Sequence, residues 1–305
     1  MTRFIFRRAL LALSVVMTVM ALAFVLTRLS GDLAISIAGP GSTQADVEVI
    51  RKAYGLDRPV LVQFFDWTRL ALTGDFGNSF FFKDKVSNLI GQRMPVTFTL
   101  GFTGLAVALV ISVPLGILAA LNENTWIDRS VSLLVMVGQA MPSFWLGLIL
   151  MIVFGLQLGW LPISGTGSWQ HFVMPAIVLA FTAVPALTRL MRSGMIEALG
   201  SDYIRTARAK GLSRSSIIFK HALRNAAIPV VSIAAVQLGF MLGGSIVIET
   251  VFALHGVGYL AWESISKNDF PVVQAVVLVL ASIYIGLTLV SDILNALLDP
   301  RLRGA

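Results

Sequence analysis

PVTFTLGFTGLAVALVISVPLGILAAL, residues 95–121, runs for 27 positions without a charged side chain. A helix needs about 20 mainly apolar residues to cross the hydrocarbon of a bilayer, and one that is apolar on every face belongs in lipid or in a very large core. Working outward, the pattern repeats. Ala9–Thr27 is uncharged behind Arg3, Arg7 and Arg8. That run is longer than the roughly 7–15 residues of a secretory signal core and lacks a polar cleavage region, so it is expected to be a first transmembrane helix. Ser130–Thr188 is charge-free and too long for one helix; the turn-rich Pro162-Ile163-Ser164-Gly165-Thr166-Gly167-Ser168 divides it in two. Asn225–Ile248 and Pro271–Ser291 bring the spans to six. Pro114, Pro142 and Pro185 fall inside them and are expected as packing kinks, which membrane helices tolerate.

The fold class is therefore all-α and polytopic. Composition agrees, with 56% hydrophobic residues, 13% charged and a mean hydropathy of +0.84. Soluble domains carry about 25% charged residues, and a chain of 305 residues has no soluble core large enough for this much apolar surface. The net charge of +7 has a topological reading that needs no nucleic acid. With a cytoplasmic N-terminus, the short cytoplasmic segments hold 14 Arg and Lys, among them Arg129, Arg189, Arg192, Arg301 and Arg303, whereas the short outer loops hold only Lys267. Both termini are expected inside. There is no cysteine, which excludes disulfides and thiolate chemistry. His171, His221 and His255 fall in three separate loops and suggest no metal cluster.

Residues 29–94 carry seven basic and seven acidic side chains, a balance suited to a small folded extracytoplasmic domain. Gln44–Tyr54 and Pro59–Leu72 are expected as helices closed by Gly55 and Gly74. Organisation along the chain is then 1–28 for the N-terminus and first span, 29–94 for the outer domain, 95–298 for a five-helix core and 299–305 for a cytoplasmic tail. Glu249 and Asp292 are acids at span ends, expected to be paired with an Arg or hydrated.

Residues 197–229 hold the densest functional signal. Ser201 is placed to N-cap a short helix, with Asp202 at its positive end and Arg208 and Lys210 at its negative end. Gly211 supplies a left-handed C-cap. Ser213 then opens a second helix running to about Asn225, with Pro229 entering the next span. Two short helices meeting at a corner form a knob able to enter a groove on a cytoplasmic partner. The competing reading is a solvated basic loop that satisfies only the charge asymmetry.

Tyr203-Ile204-Arg205-Thr206-Ala207-Arg208-Ala209-Lys210-Gly211-Leu212-Ser213, followed by His221-Ala222-Leu223-Arg224-Asn225 and Pro229, resembles the EAA loop of bacterial ABC importer permeases. The match is nearest to the dipeptide, oligopeptide and nickel branch. Tyr54-Gly55-Leu56-Asp57-Arg58-Pro59, Gly74-Asp75-Phe76-Gly77-Asn78-Ser79, Arg93-Met94-Pro95-Val96-Thr97, Gly256-Val257-Gly258-Tyr259 before Asp269-Phe270-Pro271, and Leu298-Asp299-Pro300-Arg301-Leu302-Arg303 agree with it in order. Arg205-Thr206-Ala207 stands where the general pattern has Glu-Ala-Ala, and His221-Ala222-Leu223-Arg224 where it has Ile-x-Leu-Pro. Both departures are similar to those of the peptide branch.

The resemblance implies a type I importer permease fold in the bacterial inner membrane. It also implies a pseudo-twofold pair with a second, related permease, two cytoplasmic ATPases that hold ATP and Mg²⁺, and an extracytoplasmic solute-binding protein. ATPase coupling would then fall to Tyr203, Arg205, Ala207, Arg208, Gly211, Leu212, Ser213, Arg214, His221 and Leu223. Binding-protein docking would involve the outer segments, with Phe252, Tyr259 and Trp262 as anchors. The chain holds no Gly-x-x-x-x-Gly-Lys-Ser/Thr phosphate loop, so it is expected to be non-catalytic and free of its own cofactor. The solute is expected to be a di- or oligopeptide or similar small molecule, with nickel chelates and glutathione as alternatives. An ion-coupled secondary transporter should carry midplane ionisable groups and inverted repeats, and a membrane enzyme should carry clustered acid, base or metal groups. Neither pattern is visible.

Overall fold

The computed structural model describes residues 2–29, 31–39 and 41–298. The expected tail 299–305, with Arg301, Arg303 and most of the Leu298–Arg303 motif, lies outside the described residues. Among the described residues the elements are all helical, apart from an isolated antiparallel bridge between Asn78 and Lys85.

Helix α1 (Thr2–Leu29) is followed by three short helices: α2 (Leu33–Ala38), α3 (Gln44–Ala53) and α4 (Val60–Leu72). A capping box of Thr43 and Asp46 opens α3. Gly55 and Gly74 follow α3 and α4 with φ of +62° and +80°, as their positions in the sequence predict. The 29–94 segment owes little to a core of its own: α3 buries no residue, and α4 buries only Gln63, Thr68 and Ala71. It leans on α1 instead, where Phe24 meets the rings of Phe64 and Trp67 at 5.3 and 6.0 Å.

The long helices are α5 (Val86–Leu121), α8 (Val173–Gly200), α10 (Leu223–Val251) and α12 (Phe270–Leu298). Between them lie α6 (Trp126–Ala140), α7 (Ser143–Leu150), α9 (Asp202–Ala209) and α11 (Val257–Ser266). Among the described residues, five continuous helical stretches are long and apolar enough to cross a membrane, and a bent pair gives a sixth when taken as one span. That pair is α6 with α7 and its π-helical extension to Gln157, bent by 96° at Met141-Pro142. Pro142 therefore does more than kink a span. It sits at the N-cap of α7, where the missing N–H costs nothing, and the chain turns there. By contrast Pro95, Pro114, Pro185 and Pro229 lie inside unbroken helices.

α8 is the most enclosed span and packs against both α5 and α10. Small residues set the approach, as between membrane helices generally. A Cβ at Gly101 would stand 2.6 Å from Leu242, and one at Gly116 would stand 2.6 Å from Met191. Two contacts fix which helix ends share a side. Ser291 Oγ donates to Ser232 O at 2.7 Å, placing the end of α12 beside the start of α10. Arg8 meets Asp292 at 2.8 Å, bringing the start of α1 to the same end. Asp292 is thus arginine-paired, as expected of it.

Candidate functional site

The 201–225 segment emerges at that end, between α8 and α10. Ile204 and Ala207, one helical turn apart on α9, are buried against the bundle and pin the helix from its inner face. Their neighbours point outward, Tyr203 being 42% exposed. The turn after α9 is a Schellman closure: Leu212 N donates to Ala207 O at 3.3 Å and Gly211 N to Arg208 O at 2.9 Å. Gly211 has φ +75°, and an added Cβ would meet nothing within 4 Å, so the glycine is required by backbone conformation alone. Leu212 follows it at the corner, 40% exposed.

Two expectations need correction. Ser201 occupies the N-cap position, but its hydroxyl donates to Ala198 O at 2.6 Å and does not cap α9; its carbonyl accepts from Ile204 N and Arg205 N. The second short helix is not separate. Ser213 Oγ accepts from Ser216 N at 3.3 Å, and the helix beginning there passes through a π-helical stretch, Ser216–Ala222, directly into α10. The knob is one short helix, a glycine corner and the protruding start of a long span. Asn225, which was not among the candidates, donates to Tyr203 Oη at 2.8 Å and ties α9 to α10. Of the other candidates, Arg205, Arg208, Ser213 and Arg214 are exposed, His221 and Leu223 are half-buried, and Ala207 is an internal anchor. Arg205 pairs with Asp202 at 3.3 Å; Arg208 and Arg214 form no ion pair among the described residues.

Near the same end, α6 is fastened to α8 by a bidentate pair. Arg192 Nε and Nη2 each donate to the Asp128 carboxylate at 2.6 Å, and Asn124 N adds a third bond at 3.0 Å.

The opposite end is organised by two buried carboxylates. Glu249 is 0% exposed and forms no ion pair with an arginine among the described residues, against expectation. Its Oε1 accepts from Thr97 Oγ1 and Ser245 Oγ, both at 2.8 Å, and its Oε2 accepts from Tyr259 N at 2.9 Å. Thr97 Oγ1 also accepts from Val257 N at 2.8 Å, so α5, α10 and α11 meet on one acid. Gly256 makes this approach possible: a Cβ there would overlap the Glu249 carboxylate and stand 2.6 Å from Thr97 Oγ1. Asp269 is the second hub. It accepts from Ser79 Oγ and from Phe80 N and Phe81 N at 3.2 Å each, fastening the 77–85 segment to the α11–α12 corner.

Comparison with known proteins now decides the assignment. Residues 1–101 match the N-terminal part, and residues 112–304 the main part, of the family described as the binding-protein-dependent transport system inner membrane component. The glutathione transport system permease protein GsiC of Salmonella typhimurium is 40% identical over 304 residues, 99% of each chain. GsiC of Escherichia coli K12 is 38% identical over the same span. The chain belongs to this family. It is an ABC importer permease of the peptide and nickel branch, and its own part is a membrane subunit, not an ATPase. An inward-facing structure of the MetNI methionine ABC transporter superposes with a TM-score of 0.58 at 19% identity, covering 69% of this chain and 96% of that one. That likeness supports the fold alone.

In the permease, the anchor set proposed for the outer end must be revised. Phe252 is 1% exposed and packs in the main core beside Gly147, so it offers nothing to a docking protein. The reason is local: Phe252 closes α10, where the chain turns inward so that Leu254 N can bond Glu249 O at 2.8 Å. Trp262 remains on the surface at 46% exposure, and half-buried Tyr259 lies between it and His255, meeting the His255 ring edge-on.

Proposed function

We propose that the permease forms half of a translocation pathway and is driven by a cytoplasmic ATPase that docks on the 201–225 corner. One observation carries this reading. Gly211 and Leu212 stand at an exposed corner that is built from inside by Ile204, Ala207 and the Schellman turn, so the corner is rigid and its apolar tip faces outward. A leucine held in that way gains from a partner's pocket and loses in water. The 201–225 end, which carries the start of α1 and the end of α12, is then cytoplasmic.

The opposite end, with residues 29–94 and the 250–270 turn, faces the extracytoplasmic solute-binding protein, with Tyr259 and Trp262 as the surviving anchors. A second, related permease completes the pathway. ATP and Mg²⁺ are held by the ATPases, whose closure moves the corner and switches the access of the pathway. The solute is a small peptide or peptide-like molecule, and likeness to GsiC makes glutathione-like tripeptides the first class to test. Ion-coupled transport is disfavoured because the buried acid Glu249 has its hydrogen bonds filled by the protein itself.

Co-purification tests the docking. Wild-type permease should retain its ATPase through detergent extraction, and Leu212→Asp should lose it while Arg208→Ala keeps it. Undiminished recovery of the ATPase with Leu212→Asp would reduce the corner to a solvated loop.

A further inference from the structure

Beside the exposed corner lies a hollow of about 520 Å³. Ala120 at the end of α5, Leu199 at the end of α8, and Ile217 and Ile218 at the start of the next helical stretch contribute apolar walls, with Arg208 and Arg214 at its edge. Leu212 borders the hollow as well, so the apolar tip and the cavity share a rim. We infer that this hollow is a second, concave half of the ATPase interface, which receives an apolar side chain flanked by a carboxylate. The inference rests on the docking reading above and adds a reciprocal contact: the permease inserts Leu212 and accepts a side chain in return.

Charge decides the chemistry of the occupant. Arg208 and Arg214 have no ion pair among the described residues, and neither do their neighbours Lys210, Lys220 and Arg224. The one acid on α9, Asp202, is taken by Arg205. Two arginines at the edge of an apolar cavity favour an anionic group poised above an apolar one. Position decides between a protein and a lipid. The hollow lies where the apolar stretches end: Ala120, Leu121 and Leu199 are the last turns of two of them, Ile217 and Ile218 the first turn of a third, and Arg208, Leu212 and Arg214 belong to the polar 201–215 segment between. An occupant from a soluble partner fits that place better than an acyl chain.

The chain has no cysteine, so one engineered thiol is a unique probe. Leu199→Cys reports the hollow and Leu212→Cys reports the corner; Ile217→Cys replaces the first if Leu199→Cys lowers the membrane level of the permease. Maleimide labelling is followed on the purified permease, with and without its ATPases, in neutral-lipid nanodiscs. Assembly with the ATPases should slow labelling at both thiols by about tenfold or more, as expected where contacts exclude water. Adding Arg208→Glu and Arg214→Glu should restore labelling at Leu199→Cys. A bifunctional reagent from that thiol should capture an ATPase peptide bearing Asp or Glu next to an apolar residue. Protection at Leu212→Cys with none at Leu199→Cys would overturn the hollow and leave the corner standing. Protection at neither thiol would overturn both. Protection of Leu199→Cys by phosphatidylglycerol nanodiscs without ATPase would assign the hollow to a lipid headgroup and overturn the inference.

Discussion

The Glu249 and Asp269 hubs and the 201–225 corner are held together by opposite means. At the end with Glu249 and Asp269, buried carboxylates gather hydroxyl and backbone donors from segments far apart in sequence: Thr97 with Val257 and Tyr259, and Ser79 to Phe81 with Asp269. At the other end, the 201–225 corner relies on backbone geometry and two buried anchors, and its polar side chains face outward. Buried polar groups are costly to leave unsatisfied, so the first end should tolerate change poorly in stability. The second should tolerate change in stability and fail in function. A fixed platform at one end and an exposed, preshaped knob at the other suit a machine whose drive arrives from one side only.

That contrast can be broken most sharply at Glu249. Replacing it with alanine leaves the Thr97 hydroxyl proton and the Tyr259 amide without their acceptor, each worth about 1–3 kcal/mol when buried without a partner, while Ser245 Oγ keeps Leu242 O at 3.0 Å. The expected result is a marked fall in the thermal unfolding midpoint in detergent and a lower membrane level, whether or not ATPase is present. An unchanged midpoint would remove the hub from the account. Gly256→Val should resemble it, because the new side chain would displace the same carboxylate.

Asp269→Ala is the next step down. It leaves Phe80 N and Phe81 N without their acceptor, but these residues are half-buried or exposed and water can replace part of the loss. A cost of about 1–3 kcal/mol is expected, read as faster protease cleavage in the 77–85 segment. Cleavage at the wild-type rate would show that the segment is held by something else.

Smaller still is Arg208→Ala. An exposed cation contributes about 0–1 kcal/mol to a contact, so ATPase recovery and uptake should fall by less than about tenfold. A complete loss would mean that charge, and not the apolar corner, carries the docking.

The smallest effect belongs to Asp32, which caps α2 and meets Arg51 at 2.5 Å. The hydrogen bond from Arg51 holds its carboxyl below the ordinary range. A depressed folded-state pKa gives stability that is fully present above the unfolded value of about 3.9 and is lost as pH falls through the lower folded value. Asp32→Asn should therefore lower the protease resistance of the α2–α3 region modestly at neutral pH, and this deficit should shrink as pH falls below about 4. A large difference persisting in acid would contradict the ion-pair explanation.

What was legible in the sequence follows from the range of the interactions. Apolar runs and their charged flanks are local, so the spans beginning near Ala9, Pro95, Asn225 and Pro271 were readable, as were the closures at Gly55, Gly74 and Gly211. Helix starts were less so: α5 begins at Val86, well before Pro95, because residues 87–93, of mixed character with Leu89 and Ile90 buried, are already helical ahead of the charge-free run. The turn at Met141-Pro142 was hidden inside a charge-free interval, where proline reads equally as kink or break. Glu249 looked like an interfacial acid because its partner Thr97 is 152 residues away in sequence. Phe252 looked like a surface anchor because the core it enters, beside Gly147, is built from segments far away in sequence. Ile204 was the most recoverable omission, since its spacing from Ala207 already marks the inner face of α9.

The central claim is that the Gly211–Leu212 corner transmits the ATPase stroke. Gly211→Val tests it most directly, because a side chain there meets no neighbour yet is strained by φ +75°. Solute-stimulated ATP hydrolysis and uptake should be measured on the reconstituted complex, alongside the membrane level and unfolding midpoint of the permease. The account predicts that both activities disappear while level and midpoint stay close to wild type. Wild-type uptake by Gly211→Val would contradict it and return residues 201–225 to a basic loop without a partner.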